Sequence, residues 1–134
     1  MKIIGVIPAR YQSSRFPGKP LADICGKPMI WWVYNQVKKS EMINEVYVAT
    51  DDERIEKVCK ENDINVVMTS NEHKTSTERV FEVANKIPSD YYIVVNGDEP
   101  LIDHKLIEKI IPNNNTESFY VANLMTKIKS PAEL

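Results

Sequence analysis

A chain of 134 residues with 43% hydrophobic and 27% charged residues has the make-up of one ordinary globular unit. Its net charge of −2 excludes a global basic footprint for nucleic acid, so any anion site has to be local. Cys25 and Cys59 make neither a metal spacing nor a disulfide framework and fit the reduced thiols of a cytoplasmic protein, and no apolar run is long enough for a signal peptide or a membrane span.

The first element is "KIIGVI", a near-continuous apolar run that reads as a strand buried on both faces. Pro8 follows, and its missing N–H is expected to turn the chain out of the sheet. The next stretch, "IPARYQSSRFPGKP", carries Arg10, Arg15 and Lys19 in one short loop. Cations so close repel unless an anion gathers them; Arg offers bidentate forks to phosphate oxygens and Lys a mobile point charge. A nucleoside triphosphate matches that demand, and a solvated basic loop is the plain alternative. The stretch lacks the P-loop pattern, and Gly18 stands alone, so it is not a dinucleotide fingerprint.

"PMIWWVYNQVKK" reads as a helix, with Pro28 in its first turn, Ile30, Val33, Tyr34 and Val37 on one face, and Trp32 turned away from that face toward another element or a partner. "EVYVAT" is a second strand, followed by "DDERIEKVCKEN", a helix with Ile55, Val58 and Cys59 inward. Asp51 and Asp52 read first as helix caps and second as neighbours of a site. "NVVM" is a third strand. "NEHKTSTER" then opens a helix in which Thr75 and Glu78 fit a capping box. Ser76, Thr77 and Arg79 sit at that helix start, where free N–H groups suit polar ligand groups and a base or ribose can be read. His73 reads first as a structural hydrogen-bonding residue.

"YYIVV" is a fourth strand, with at least one of Tyr91 and Tyr92 in the core. "NGDEP" follows, and its Asp98 can hold a magnesium ion between the carboxyl edge of the sheet and a polyphosphate. "DHKLIEKII" reads as a helix capped by Asp103, and "SFYVANLM" as a fifth strand. This βαβαβαβαβ alternation predicts an α/β fold, a mostly parallel sheet with helices on both faces. Ligands in such sheets bind beyond the carboxyl ends of the strands, so chemistry is expected in the loops after the first, third and fourth strands.

Taken together, "IPARYQSSRFPGKPL", "GKPMI", "VATDDERI", "EHKTSTERV" and "NGDEPLI" resemble, in order and spacing, the CMP-Kdo synthetases (3-deoxy-manno-octulosonate cytidylyltransferases). The resemblance covers essentially the whole chain. It implies a Rossmann-like fold of the nucleotide-diphospho-sugar transferase type. It also implies transfer of CMP from CTP to the sugar acid Kdo, with pyrophosphate released, for lipopolysaccharide or capsule precursors. Carried over by match, Arg10, Arg15 and Lys19 hold the triphosphate, the Ala9 backbone and Ser76, Thr77 and Arg79 lie at the cytidine, and Asp98 ligates Mg2+. Arg10, Lys19 and Asp98 are the residues expected to carry catalysis. The chain departs from the family where Thr75 and Ser76 replace serine and glycine, and where Asn96 replaces glutamine.

The resemblance further implies that residues 1–134 are the nucleotide-binding half of a larger α/β domain, incomplete at the C-terminus, that the full-length protein is a homodimer, and that this half alone binds CTP weakly and turns over poorly. A cytidylyltransferase for another acidic sugar, such as a sialic acid, and a non-catalytic CTP-binding module are the alternatives.

Overall fold

The computed structural model describes residues 2–11, 17–96 and, for the backbone, 120–123. In chain order these form β1 (Ile3–Pro8), a single 3-10 turn (Lys19–Leu21), β2 (Asp23–Ile24), β3 (Lys27–Pro28), α1 (Met29–Lys38), β4 (Glu45–Thr50), α2 (Glu53–Glu61), β5 (Val66–Met68), α3 (Ser76–Lys86), β6 (Tyr91–Val94) and β7 (Tyr120–Asn123). Five strands make one sheet in the order β5-β4-β1-β6-β7, and every adjacent pair is parallel. The predicted parallel α/β architecture is the one observed. The predicted helix starting at Asp103 lies outside the described residues.

The continuous apolar runs are explained by two cores, one on each side of the sheet. All of β1 is buried, as a strand covered on both faces requires. Ile3, Ile7, Val48, Tyr91 and Ile93 face one way and pack against Ile30, Val33 and Val37 of α1 and Ile55 and Cys59 of α2. Ile4, Val6, Tyr92 and Val94 face the other way and pack against Val80 and Val83 of α3. The period-2 alternation thus sends Tyr91 and Tyr92 to opposite cores. Both are buried, and the Tyr92 hydroxyl donates to the Ile87 carbonyl at 2.6 Å, so its polar end is satisfied.

Three local expectations are corrected. Pro8 does not turn out of the sheet: it is the last residue of β1, in register with Ala49, and the next N–H, of Ala9, still donates to the Ala49 carbonyl at 2.9 Å. The ring's missing donor faces β6, where the register ends at Val6 and Val94, so it costs no ladder bond there. Pro28 is not in the first turn of α1. Its ψ of 150° is extended, because it pairs with Asp23 in a two-stranded hairpin, and the helix begins one residue later. Val58 is only half-buried, whereas Ile55 and Cys59 are fully inside. Trp32 does meet another element: its Nε1–H donates to the Ile24 carbonyl of the hairpin at 2.8 Å.

The chain runs from β1 outward through β4 to β5, and only then returns to β6 on the other side of β1. The carboxyl ends of β1, β4, β5 and β6 therefore share one edge of the sheet. No helix among the described residues is long and apolar enough to cross a membrane.

Candidate functional site

At that edge lies a cavity of about 290 Å³ lined by Arg10, Tyr11, Asp51, Asp52, Asn71, His73 and Arg79. Its walls come from the segments that follow β1, β4 and β5 and from the first turns of α3. Each wall is fixed by backbone bonds that extend the ladders past the strand ends: Ala9 N–H to Ala49 O at 2.9 Å, and Thr69 N–H to Thr50 O at 2.9 Å.

Arg79 forms the floor. It is 2% exposed, unusual for a guanidinium, which is almost never fully buried unless paired. Its Nη1 donates to the Thr69 hydroxyl, and Asp51 Oδ1 stands 4.0 Å away. Burial is the main cause that pulls its pKa below the ordinary arginine value, Asp51 opposes the shift, and the nearby charge of Arg10 adds to it. The group stays cationic. With the Asp52 carboxylate in its wall paired to Arg54, the cavity sets two guanidinium groups against the loosely placed Asp51 carboxylate, an arrangement that favours an anionic or acceptor-rich ligand.

The start of α3 is built as its sequence predicts. Thr75 is the N-cap, and its hydroxyl accepts from the Glu78 N–H at 3.2 Å. The preceding loop is tied down by Glu82. That carboxylate accepts from the Ser70 N–H at 2.8 Å, meets His73 Nε2 at 2.7 Å and pairs with Lys86 at 2.8 Å. Lys86, the Ser70 N–H and His73 together hold the Glu82 carboxyl down at about 2. A carboxylate at that position makes Nε2 of His73 the protonated ring nitrogen. His73 is therefore both the hydrogen-bonded structural residue expected and a residue of the cavity wall.

The structure brings Arg10 and Arg79 into one cavity. Ala9, which precedes Arg10, is buried and is not among the lining residues. Lys19 opens the 3-10 turn after Gly18, and Ser76 and Thr77 are half-buried on the first turn of α3; none of the three is among the lining residues. Arg15 and Asp98 lie outside the described residues. Tyr11 and Asn71 also line the cavity with no signal of it in the sequence, and Asp51 and Asp52 line it in keeping with their second reading as neighbours of a site. Asp52 is the cap of α2, accepting from the Arg54 N–H at 2.8 Å, and this leaves its neighbour Asp51 for the cavity.

Among the described residues no group of three or more His, Cys, Asp or Glu side chains could hold a metal ion. Both Asp52 oxygens are taken by the Arg54 guanidinium, and Asp51 faces Arg79. A metal here would rely on a carboxylate from elsewhere and on ligand oxygens, which suits magnesium, a cation that needs few protein ligands.

Comparison with known proteins gives a consistent picture. The family model for cytidylyltransferases matches residues 4–134. The chain is 47% identical over 131 residues to the 3-deoxy-manno-octulosonate cytidylyltransferase of Geobacter metallireducens, covering 97% of this chain and 52% of that protein. It is 54% identical over 112 residues to the enzyme of the same name from Parabacteroides distasonis, covering 82% of this chain and 44% of that protein. The chain thus spans about half the length of the curated relatives it matches. Among solved structures, a CMP:2-keto-3-deoxy-manno-octonic acid synthetase complexed with CTP superposes with a TM-score of 0.81 at 46% identity, over 82% of this chain and 46% of that one. A 4-diphosphocytidyl-2C-methyl-D-erythritol synthase shares the fold, with a TM-score of 0.65 at 18% identity over 87% of this chain and 56% of that one.

Proposed function

Because this chain belongs to the cytidylyltransferase family, we propose that it supplies the nucleotide-binding part of an enzyme that transfers CMP from CTP to the anomeric hydroxyl of 3-deoxy-manno-octulosonate. The observation that carries this reading is the cavity at the carboxyl edge of the sheet, with Arg10 and the buried Arg79 in its wall. Support comes from the 46% identity and TM-score of 0.81 to a synthetase that holds CTP.

In this reading Arg10, Arg15 and Lys19 gather the triphosphate, and Ala9, Ser76, Thr77 and Arg79 surround the cytidine. The anomeric oxygen forms a bond to the α-phosphorus as the bond from that phosphorus to pyrophosphate breaks. Cationic side chains stabilise the charge that spreads over the transferring group and the leaving pyrophosphate, so catalysis is positioning plus electrostatics, without a covalent nucleophile. Asp98 is the proposed ligand for a magnesium ion, which when bound supplies charge neutralisation on the phosphates. Asp98 follows β6, the strand beside β1, in the sequence.

The test is pyrophosphate release by the full gene product given CTP, Mg2+ and a panel of sugar acids. Release is expected with 3-deoxy-manno-octulosonate; release with none of the panel refutes the reading. Lys19→Ala is expected to weaken CTP binding, and Asp98→Asn to abolish magnesium-dependent turnover. An unchanged magnesium requirement in Asp98→Asn removes that residue from the metal site.

A further inference from the structure

Arg54 lies on α2, outside the lining of the cavity, yet it touches the cavity through another residue. Its guanidinium carbon sits 3.2 Å from the centre of the Tyr11 ring, a stacked cation–π contact. The guanidinium is held in place by one carboxylate. Arg54 Nη2 donates to Asp52 Oδ2 at 2.7 Å and Nε to Oδ1 at 3.1 Å, a bidentate fork. Asp52 in turn caps α2 and donates its own N–H to the Thr50 hydroxyl at 3.2 Å. The Tyr11 ring is thereby referred to the end of β4.

Tyr11 is also fixed to the returning end of its own loop. Its carbonyl accepts from the Gly18 N–H at 2.6 Å. Gly18 lies so close to the ring that a Cβ there would be 2.8 Å from Tyr11 Cε2, and its φ of 74° is one that L side chains rarely adopt. Arg10 immediately precedes Tyr11, and Lys19 immediately follows Gly18. The two contacts on Tyr11 therefore set where both cations stand relative to the strand ends.

We propose that Arg54 is a positioning residue for the phosphate-binding cations: it holds Tyr11, and through Tyr11 and Gly18 it fixes the placement of Arg10 and Lys19. The proposal rests on the nucleotide reading above. Its chemistry is stacking rather than direct attraction of the nucleotide, because the Asp52 carboxylate already neutralises the Arg54 charge.

The experiment measures affinity for CTP and for CMP by calorimetric titration, with the melting temperature, in the full gene product and in Arg54→Ala, Tyr11→Phe, Tyr11→Leu and the Arg54→Ala/Tyr11→Leu double variant. CMP lacks the β- and γ-phosphates, so it reports on general damage to the pocket. Arg54→Ala is expected to weaken CTP roughly twofold to fivefold, the range an exposed cation–π contact supports, with a smaller effect on CMP. Tyr11→Phe keeps the ring that Arg54 covers and should lose less CTP affinity than Tyr11→Leu. The double variant should be no weaker than Tyr11→Leu alone, since the two residues act as one unit. Arg54→Ala that binds CTP normally, or that loses CTP and CMP equally, overturns the proposal. So does an Arg54→Ala effect that persists undiminished in the Tyr11→Leu background, which would mark a long-range charge effect instead. A parent protein that binds neither nucleotide overturns the nucleotide reading and this proposal with it, whereas normal CTP binding by both parent and Arg54→Ala overturns this proposal alone.

Discussion

Asp51 Oδ1 stands 4.0 Å from Arg79 Nη1, close enough to offset the buried cation and too far for a hydrogen bond. The pair has opposite consequences for stability and for ligand binding. The carboxylate helps stability, because with Glu82 it offsets the repulsion between the buried Arg79 and Arg10. An anionic ligand is opposed by it. Asp51→Asn is therefore expected to cost about 1 kcal/mol of stability and to tighten CTP binding roughly threefold, as read by thermal unfolding and titration. Arg79→Met should weaken CTP. A loss of CTP affinity in Asp51→Asn would mean that the carboxylate accepts a hydrogen bond from the nucleotide.

The loop that brings Asn71 and His73 to the cavity depends on the ionised state of Glu82. Lys86, the Ser70 N–H and His73 hold that carboxyl at about 2 in the folded chain, below its ordinary 4.5. A depressed folded pKa contributes stability that is fully present above about pH 4.5 and is lost as pH falls toward about 2. Glu45, held by Tyr47 and Lys2, and Asp52, held by Arg54, shift the same way, so the parent's acid sensitivity is a sum. Glu82→Gln isolates one part. Its melting temperature should lie below the parent's near neutral pH, by the equivalent of about 1 kcal/mol, and the gap should close between about pH 4.5 and pH 2. A gap that stays constant through that window would show that the carboxylate's charge is not what holds the loop.

The sheet was legible because burial on both faces leaves "KIIGVI" a continuous apolar run, and because "EVYVAT" is rich in β-branched and aromatic residues. α1 and α3 were legible because their apolar residues recur at helical spacing and Thr75 and Glu78 mark a start. The hairpin of β2 and β3 was not. Its strands have two residues each, and its turn places Cys25 at φ 51° and Gly26 at φ 88°, positions where Asn-Gly would have announced a hairpin. Arg10 stood out as one of three cations in a short loop after a strand, and Arg79 as a polar residue at a helix start. Asp51 was legible only as a second reading, because two adjacent acids before a helix both look like caps; in the fold Asp52 caps α2 while Asp51 faces Arg79. Tyr11 carried no signal, since its role arises from Arg54 and Gly18, residues distant from it or across a loop.

Gly5 is the one position in β1 where side-chain absence sets the spacing of α1 on the sheet. A Cβ there would lie 2.9 Å from Val37 Cγ1 and 3.5 Å from Val46 Cγ2, and Val37 is fully buried. Neither neighbour can swing into solvent, so added volume has to push the helix outward. Gly5→Ala is expected to destabilise the chain by about 1–3 kcal/mol in chemical denaturation. Because α1 follows the cationic loop and the hairpin, the shift should also reach Lys19, and CTP binding should weaken in the same variant. Val37→Ala alone leaves a cavity and costs stability too. In combination the new methyl at position 5 occupies space that Val37 vacates, so the double variant should lose less than the sum of the two single losses. Additive losses would show that α1 is not held against β1 by this contact.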